Sequence, residues 1–196
     1  MDEGLAKIRH DRSQKDFPFL HLGPTEYVEF AFKRARASLL LLLGGLGGGL
    51  AIILLVFLLV LMSSAPLEGM GQNFLYIILG ILIFFTVMAA IISIVIYRGN
   101  RLFITNEHII QMSMSAPMAT SVNMIDLFSI EDVSFHQNGF IQKIFGFGTL
   151  RLATVGDETT YTFKDSDISS DELNSISKLI TAAKAKSTTD QPNPKA

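Results

Sequence analysis

The fold is decided by two apolar stretches, SLLLLLGGLGGGLAIILLVFLLVLM at Ser38–Met62 and FLYIILGILIFFTVMAAIISIVIY at Phe74–Tyr97. They contain 25 and 24 residues and no charged side chain. About twenty helical residues cross a hydrocarbon core that is about 30 Å thick, so each stretch is long enough to span a membrane. The connection Ser63–Asn73 holds a proline and two glycines, which suits a turn between antiparallel helices. We therefore predict a transmembrane α-helical hairpin at 38–97.

Basic residues flank this hairpin on one side only. They are Lys33, Arg34, Arg36, Arg98 and Arg101. The connection 63–73 contains a single charge, Glu68, and no lysine or arginine. Because lysine and arginine near the ends of a span favour the cytoplasmic side, we expect a multi-pass protein of the cell membrane. Both termini are predicted to be cytoplasmic and the connection 63–73 extracytoplasmic.

A glycine stripe in the first span consists of two small-xxx-small pairs, Gly44 with Gly48 and Gly45 with Gly49. Such pairs let helix backbones approach closely in lipid. The stripe is open to three interpretations: a helix-packing or oligomer face, a flexible point, or the glycine content usual in membrane helices. The second span offers small residues as partners, namely Gly80, Ala89, Ala90 and Ser93. Since charges inside a span are the usual mark of a transport path, the uncharged hairpin is interpreted as an anchor.

The chain divides into a cytoplasmic N-terminal segment with a basic juxtamembrane stretch (1–37), the hairpin (38–97), a cytoplasmic domain (98–186) and a disordered tail (187–196). The conformation of the first segment is open at Glu26–Ala37. Tyr27, Phe30 and Arg34 fit an interfacial helix continuous with the first span, which we slightly favour. Alternation of Val28, Phe30 and Phe32 fits a short strand instead.

The region after Tyr97 has the pattern of short strands closed by one helix. Ser169–Glu172 has the S-x-x-E form of a capping box and opens the final helix. On that helix Leu173, Ile176, Leu179 and Ile180 share one face. The predicted strands are Arg101–Thr105, His108–Ser113, Met118–Asp126, Ser129–His136, Thr149–Thr154 and Thr159–Lys164, with one or two helical turns at Phe140–Phe145. This pattern predicts a small antiparallel barrel or bent sandwich with a covering helix.

Three motifs in this region resemble bacterial pleckstrin-homology-like (PH-like) domains. Arg101–Ile110 resembles the opening that runs hydrophobic-T-N-x-(R/H)-hydrophobic, and Ile130–Val133 resembles the "I-x-x-V" strand. Phe140–Leu150 resembles the short helix that precedes "G-x-G-T-hydrophobic". Gly23–Glu26, followed by basic residues and two spans, is similar to the YdbS-like membrane members. Over about residues 24–182 the resemblance implies a PH-type barrel of about seven antiparallel strands with a C-terminal capping helix.

Composition and spacing exclude several kinds of site. The chain has no cysteine, and its four histidines, His10, His21, His108 and His136, match no zinc spacing. His136 and Asp126 are a conceivable pair, but no nucleophile motif accompanies them. We therefore expect no metal, no cofactor and no enzymatic activity. The net charge of −2 gives no reason to expect a nucleic-acid partner. The domain lacks a basic cluster for phosphoinositide-type headgroups.

The preferred functional hypothesis is a membrane-anchored, non-catalytic interaction module that binds a protein partner or self-assembles through a sheet edge or groove. Phe135, Phe140 and Phe147 are candidates for an aromatic patch, although a core position is favoured for all three. The alternatives are a subunit of a small transporter or channel, assembled through the glycine stripe, and an enzyme or complex that acts on envelope lipids. No residue was found that would carry such catalysis.

Overall fold

The computed structural model describes residues 2–62, 70–154 and 160–189. Five helices lie in these ranges: α1 (Asp2–Asp16), α2 (Arg36–Met62), α3 (Met70–Gly99), α4 (Phe140–Phe145) and α5 (Ser170–Thr189). The seven strands are β1 (Val28–Lys33), β2 (Arg101–Thr105), β3 (His108–Ala116), β4 (Ala119–Asp126), β5 (Ile130–His136), β6 (Gly148–Thr154) and β7 (Thr160–Ser166). A single 3-10 turn, Leu127–Ser129, joins β4 to β5.

The two long helices are α2 and α3, which match the predicted hairpin. Both are long and apolar enough to cross a membrane, and no residue in either apolar window is buried. The second helix begins at Met70, so 70–73 are helical and the prediction that the connection extends to Asn73 is wrong. Those residues continue the hydrogen-bonded helix outward from its apolar part. Pro66, Glu68 and Gly69 of the predicted connection lie outside the described residues.

The seven strands form two antiparallel sheets. One sheet has the order β1-β2-β3-β4 and the other has the order β5-β6-β7. Their inner faces share one core, to which α5 contributes Ile176 and Ile180. The buried strand residues of this core are Phe32, Leu102, Ile104, Ile109, Ile125, Ile130, Leu150, Leu152 and Phe163. This two-sheet domain with a capping helix confirms the PH-like fold that the resemblance implies.

The first strand comes from before the hairpin, and this corrects the preferred interpretation of Glu26–Ala37. Val28–Lys33 is a strand that pairs with β2, so the helix continuous with the first span is wrong and the strand alternative is confirmed. Phe32 is buried in the core and Phe30 packs against it, which an interfacial helix would not allow. Val28 lies on the other face because the register shifts between Val28 and Phe30.

A second apolar cluster lies on the outer face of the four-stranded sheet. Leu20 packs there against Phe103 and Ile110, and Phe17 stands edge-on to Phe103 with ring centroids 5.1 Å apart. The segment that carries Phe17 and Leu20 follows α1. The helix α1 was not predicted from the sequence. The N-terminal segment therefore covers part of a sheet face that would otherwise be exposed.

The last helix begins as predicted. The Ser169 backbone N–H donates to Glu172 Oε2 at 2.8 Å, and the Glu172 N–H donates to Ser169 Oγ at 3.2 Å, which is a capping box. The helix continues to Thr189, so the prediction of a disordered tail from residue 187 is wrong for 187–189. Residues 190–196 lie outside the described part of the chain.

Candidate functional site

The domain has two ends that differ in what they carry. At the helix-bearing end, β1 stops at Lys33 just before α2, and β2 starts at Arg101 just after α3. Lys33 and Arg101 are direct neighbours in the register of β1 and β2. At the far end lies the tight turn between β2 and β3, at Asn106-Glu107.

Side chains fasten the domain to both long helices at the helix-bearing end. The Tyr97 hydroxyl in α3 donates a hydrogen bond to the backbone carbonyl of Arg34, which precedes α2. The Asn100 amide donates to Ile96 O at 2.7 Å and to Met114 O at 3.1 Å, and its oxygen accepts from Met114 N at 3.2 Å. Asn100 therefore joins the last turn of α3 to strand β3.

The second sheet is tied to the same junction. Arg34 forms a bridge with Ser166 at the end of β7, and the Ala35 N–H donates to the carbonyl of Asp165. The Arg34 guanidinium lies 3.1 Å from the Asp165 carboxylate. Gly99 packs so closely on Met114 that an added Cβ would lie 2.6 Å from its sulfur. Both sheets are thus held against the point where the long helices begin and end.

All five residues predicted to set the topology lie at this end. Lys33 and Arg101 are neighbours across two strands, and Arg101 also lies over the Phe19 ring at 5.7 Å from its centroid. Arg36 and Arg98 are exposed at the ends of α2 and α3. The structure therefore brings the five together, and their role in orienting the hairpin stays a prediction.

A carboxylate–histidine cluster occupies the far end, made of Glu26, Thr105, Glu107, His108 and Asp126, of which Glu26 and Thr105 are buried. Glu26 is 2% exposed, and its Oε1 lies 2.6 Å from the Thr105 hydroxyl and 3.0 Å from His108 Nδ1. Its Oε2 accepts the Gly23 N–H at 3.0 Å. His108 Nε2 lies 3.3 Å from Asp126 Oδ1, so a carboxylate faces each ring nitrogen. Thr105 also accepts the His108 N–H at 2.7 Å.

The cluster favours the charged form of Glu26. Burial by itself raises the pKa of a carboxyl group, because the ionised form loses its hydration. The Gly23 N–H, the Thr105 hydroxyl and His108 oppose that effect by hydrogen bonds and charge, and the net result is a Glu26 pKa below its ordinary value of 4.5. The carboxylate therefore stays ionised at neutral pH and ties the segment before β1 to the β2–β3 turn.

The same residues bear on the expectation that the chain holds no metal. The ligand atoms of Glu26, Glu107 and His108 lie within 4.8 Å of one another. However, both Glu26 oxygens already accept protein hydrogen bonds, and Glu107 accepts one from the Thr25 hydroxyl at 3.0 Å. We interpret the group as a hydrogen-bonded network. Sequence reasoning missed it because Glu26 and His108 are 82 residues apart.

His136 and Asp126, set aside above as a conceivable pair, do not meet in the structure. His136 lies at the end of β5, where its Nε2 is 3.2 Å from the Ser134 hydroxyl. Asp126 lies at the opposite end of the domain beside His108, its register partner across β3 and β4. The two residues cannot meet because strands β4 and β5 run in opposite senses between the two ends.

The three aromatic candidates are divided by the structure. Phe147 is buried and Phe135 packs against the core, as favoured. Phe140 is 79% exposed, so the core expectation is wrong for it. It begins α4, whose residues are not buried by any other part of the described chain. The sequence signal was ambiguous because an apolar face on a short helix does not say which surface covers it.

The glycine stripe faces open space. A Cβ added at Gly44, Gly45, Gly48 or Gly49 would meet no atom within 4 Å, and the same holds for Gly80. Contact between α2 and α3 lies further along, where Phe57 and Tyr76 meet at 5.6 Å between ring centroids. Close packing through the stripe within the described chain is therefore absent, and an oligomer face stays a prediction.

Among the described residues of the β-domain, two grooves and the edge strand β4 are candidate surfaces for a partner; β1, β5 and β7 are the other edge strands. A groove of about 510 Å3 lies at the far end beneath α1, between Arg9 and Glu107. A groove of about 280 Å3 opens between the sheets beside Arg34 and Gln111, and Gln111 crosses it to donate to Thr162 O at 3.0 Å. The edge is β4, which has a strand partner on one side only and exposes seven of its eight residues.

Fold and site together define a class of protein, an apolar two-helix hairpin that carries a two-sheet β-domain with a capping helix. The family model described as "Bacterial PH domain" matches residues 38–180. The chain belongs to the bacterial PH domain family. The match begins at α2 and leaves out β1, which the structure adds to the domain.

The comparison with solved structures found a similar protein, described as a DUF1696 family protein with a pleckstrin-homology domain from Shewanella loihica PV-4. The likeness covers 43% of this chain and 70% of that protein, with 14% identity and a TM-score of 0.32. A search among curated proteins gave no match.

Proposed function

We propose that the chain is a membrane-anchored, non-catalytic interaction module whose PH-like domain is held at the cytoplasmic face and binds another protein strand along β4. The observation that carries the proposal is the junction at the helix-bearing end. Asn100 and Tyr97 connect the domain to the two long helices by specific hydrogen bonds. An anchor joined in this way sets the direction in which the domain presents its free edge.

Membrane anchoring is supported by the exposed surface of α2 and α3. Their leucine, isoleucine, valine and phenylalanine side chains are largely uncovered by the described chain. The surface of a soluble monomer rarely exposes an apolar patch of more than a few hundred Å2. A buried core helix would pass the same test of length and hydropathy, but no residue in either apolar window is buried. Lipid is the surrounding that matches such a surface.

The docking role of β4 is supported by its position and its side chains. Val122 and Met124 are each 55% exposed on the outer face, beside the part of the sheet that Leu20 covers. An exposed strand edge presents unpaired backbone groups, which another strand satisfies by extending the sheet. Natural proteins usually protect such edges with charges or a covering element. Along β4 the single charge is Asp126, at its end.

The test uses the absence of cysteine, since one introduced thiol is then the only one in the chain. A photocrosslinker on Val122→Cys or Met124→Cys should form an adduct in native membranes. The same label on Asn174→Cys, exposed on α5, is the matched control and should form none. Oxidation of the purified Val122→Cys variant to a dimer would identify the partner as a second copy.

Loss of the adduct in a Thr120→Lys background would place the partner on the edge itself, because a lysine there blocks strand addition. Equal adducts at β4 and at Asn174, or none at either in any membrane preparation, would contradict the docking half of the proposal. Extraction of the chain from membranes by salt or alkali, without detergent, would contradict the anchoring half.

A further inference from the structure

The short helix α4 exposes an unusual amount of apolar side chain. Phe140, Ile141, Ile144 and Phe145 are 79%, 53%, 60% and 52% exposed. At 100° per residue these four positions fall within about 140° of the helix circumference, so they form one face. Lys143 and Gln142 occupy the other side. Single exposed apolar residues are ordinary, whereas four adjacent ones on one face call for a surface that covers them.

The helix is a formed element and is fixed to the domain. Gly146 ends it in the left-handed conformation, with φ 71°, and the Phe147 N–H donates to Gln142 O at 3.1 Å. Phe147 is buried immediately beyond. The Gln137 amide donates to Phe147 O at 3.4 Å and holds the other side of the loop. The apolar face is therefore presented in a set direction.

The position of α4 is at the helix-bearing end. The helix lies between the end of β5 and Gly148, the first residue of β6. Gly148 pairs with Ser166, and Ser166 forms the bridge with Arg34, two residues before α2 begins. A second apolar projection lies at this end, where Met118 is fully exposed in the turn between β3 and β4.

The charges around α4 also differ from those at the far end. The helix-bearing end carries seven basic residues, Lys33, Arg34, Arg36, Arg98, Arg101, Lys143 and Lys164, against Asp165 and Asp167. Asp165 is paired with Arg34. The strands and turns of the far end carry Glu26, Glu107, Asp126, Glu131 and Asp132, and α1 brings Arg9 there, where it is paired with Glu29. Anionic lipid headgroups attract a basic surface and repel an acidic one.

We propose that α4 is an interfacial docking helix, whose apolar face enters the boundary between headgroups and acyl chains of the same bilayer that α2 and α3 cross. This rests on the proposed membrane anchoring and adds a third contact between the domain and the membrane. The hydrogen bonds of Tyr97 and Asn100 already hold the domain against the two long helices. A third contact on the β5–β6 side adds to them in opposing a tilt of the domain and so helps to fix the direction of β4.

A lipid surface fits α4 better than a protein does. The helix α4 lies at the same end of the domain as the start of α2 and the end of α3. Its apolar face can therefore contact the bilayer that these two helices cross, without any partner protein. Interfacial helices combine an apolar face with flanking basic residues and enter the membrane by about 5–10 Å, which matches Lys143 beside the four apolar side chains. The acidic far end would face the aqueous side.

The experiment places an environment-sensitive fluorophore on single cysteines of the full chain, reconstituted alone in phosphatidylcholine–phosphatidylglycerol vesicles. The reporter is Ile144→Cys, with Phe140→Cys as a second variant in case the first is not folded. Glu131→Cys, exposed at the far end, is the aqueous control. Ile81→Cys, in the middle of α3, reports on the span. The quencher is a nitroxide attached near the carboxyl end of a lipid acyl chain.

At position 144 we expect a blue shift of the fluorescence and strong quenching by the nitroxide. At Ile81→Cys we expect a blue shift, and at Glu131→Cys we expect neither effect. If the fluorescence at position 144 equals that at position 131 while Ile81→Cys shows a blue shift, the inference about α4 is overturned. The proposed membrane anchoring is then unaffected. An aqueous signal at Ile81→Cys would overturn both. A blue shift at position 144 that rises with protein density and lacks nitroxide quenching would assign α4 to a second copy and also overturn the inference.

Discussion

The two ends of the PH-like domain hold the chain together by different means. The far end uses a buried carboxylate, Glu26, whose partners Thr105 and His108 come from a distant part of the sequence. The helix-bearing end uses backbone-directed bonds of Asn100 and Tyr97, surrounded by exposed basic and apolar side chains. The first arrangement stabilises the fold of the domain, and the second connects the folded domain to the two long helices. The two ends should therefore respond differently to mutation.

The largest effect is expected for Glu26→Ala at the far end. The change leaves the Gly23 N–H, the Thr105 hydroxyl and His108 without their buried acceptor, which should cost about 3 kcal/mol of unfolding free energy. Denaturant unfolding of the detergent-solubilised chain, followed by circular dichroism, measures it. Glu29→Ala is the control, since Glu29 pairs with Arg9 at the surface and should cost under about 1 kcal/mol. Equal midpoints for the two variants would refute a structural role for the cluster.

A smaller, pH-dependent effect sharpens the same comparison. Because the folded-state pKa of Glu26 is lowered, its charge contributes stability that is present above pH 4.5 and is lost as the pH falls through the folded-state value. The difference in unfolding free energy between wild type and Glu26→Gln should therefore be constant near neutrality and shrink in acid. Unfolding curves at several pH values give that difference directly. A difference that grows on acidification would mean that the sign of the shift is wrong.

At the helix-bearing end, Asn100→Ala should cost about 1–2 kcal/mol locally, because Met114 N and O and Ile96 O lose a partner near solvent. The domain itself should keep its unfolding midpoint within that amount, while its orientation relative to α3 becomes less uniform. Distances between spin labels on Ile81→Cys and Glu131→Cys should broaden in this variant. Asn123→Ala, an exposed asparagine in β4, is the control and should leave the distribution unchanged.

The smallest effect is expected in the glycine stripe. Gly48→Ala meets no atom within 4 Å, and alanine favours a helix over glycine, so stability should stay equal or rise slightly. If the stripe is an oligomer face, Gly48→Leu should shift the mass of the detergent-solubilised particle toward the monomer. An unchanged mass distribution for Gly48→Leu would mean that the stripe is not an oligomer face and reflects only the glycine content usual in membrane helices.

The sequence predicted local features well because they depend on neighbours in the chain. Three features follow from the hydrophobic pattern, the length of each run and the turn or capping residues that end it. They are the apolar runs of 25 and 24 residues, the capping box at Ser169 and the strand at Arg101–Thr105. The family resemblance supplied the PH-type barrel of about seven strands and its capping helix. The segment before the hairpin was harder, because Glu26–Ala37 fits a helix pattern only slightly better than a strand pattern, and pairing with β2 decides for the strand.

The carboxylate–histidine cluster and the difference in charge between the two ends of the domain could not be predicted from the sequence, for a different reason. Glu26 meets His108 only after β1 has docked beside β2, so no spacing rule connects them. Likewise, the whole domain is mildly acidic, and this average hides a basic end and an acidic end. The exposure of α4 also depends on tertiary structure, since the same six residues would be core if another element covered them.

The most direct test of the account is the topology of single cysteines toward a membrane-impermeant thiol reagent. Glu131→Cys at the far end and Ser64→Cys in the predicted extracytoplasmic connection are compared in intact spheroplasts and in inverted vesicles. We predict that Ser64→Cys reacts only in spheroplasts and Glu131→Cys only in inverted vesicles. Reaction of both from the same side would contradict a two-span anchor with a cytoplasmic domain.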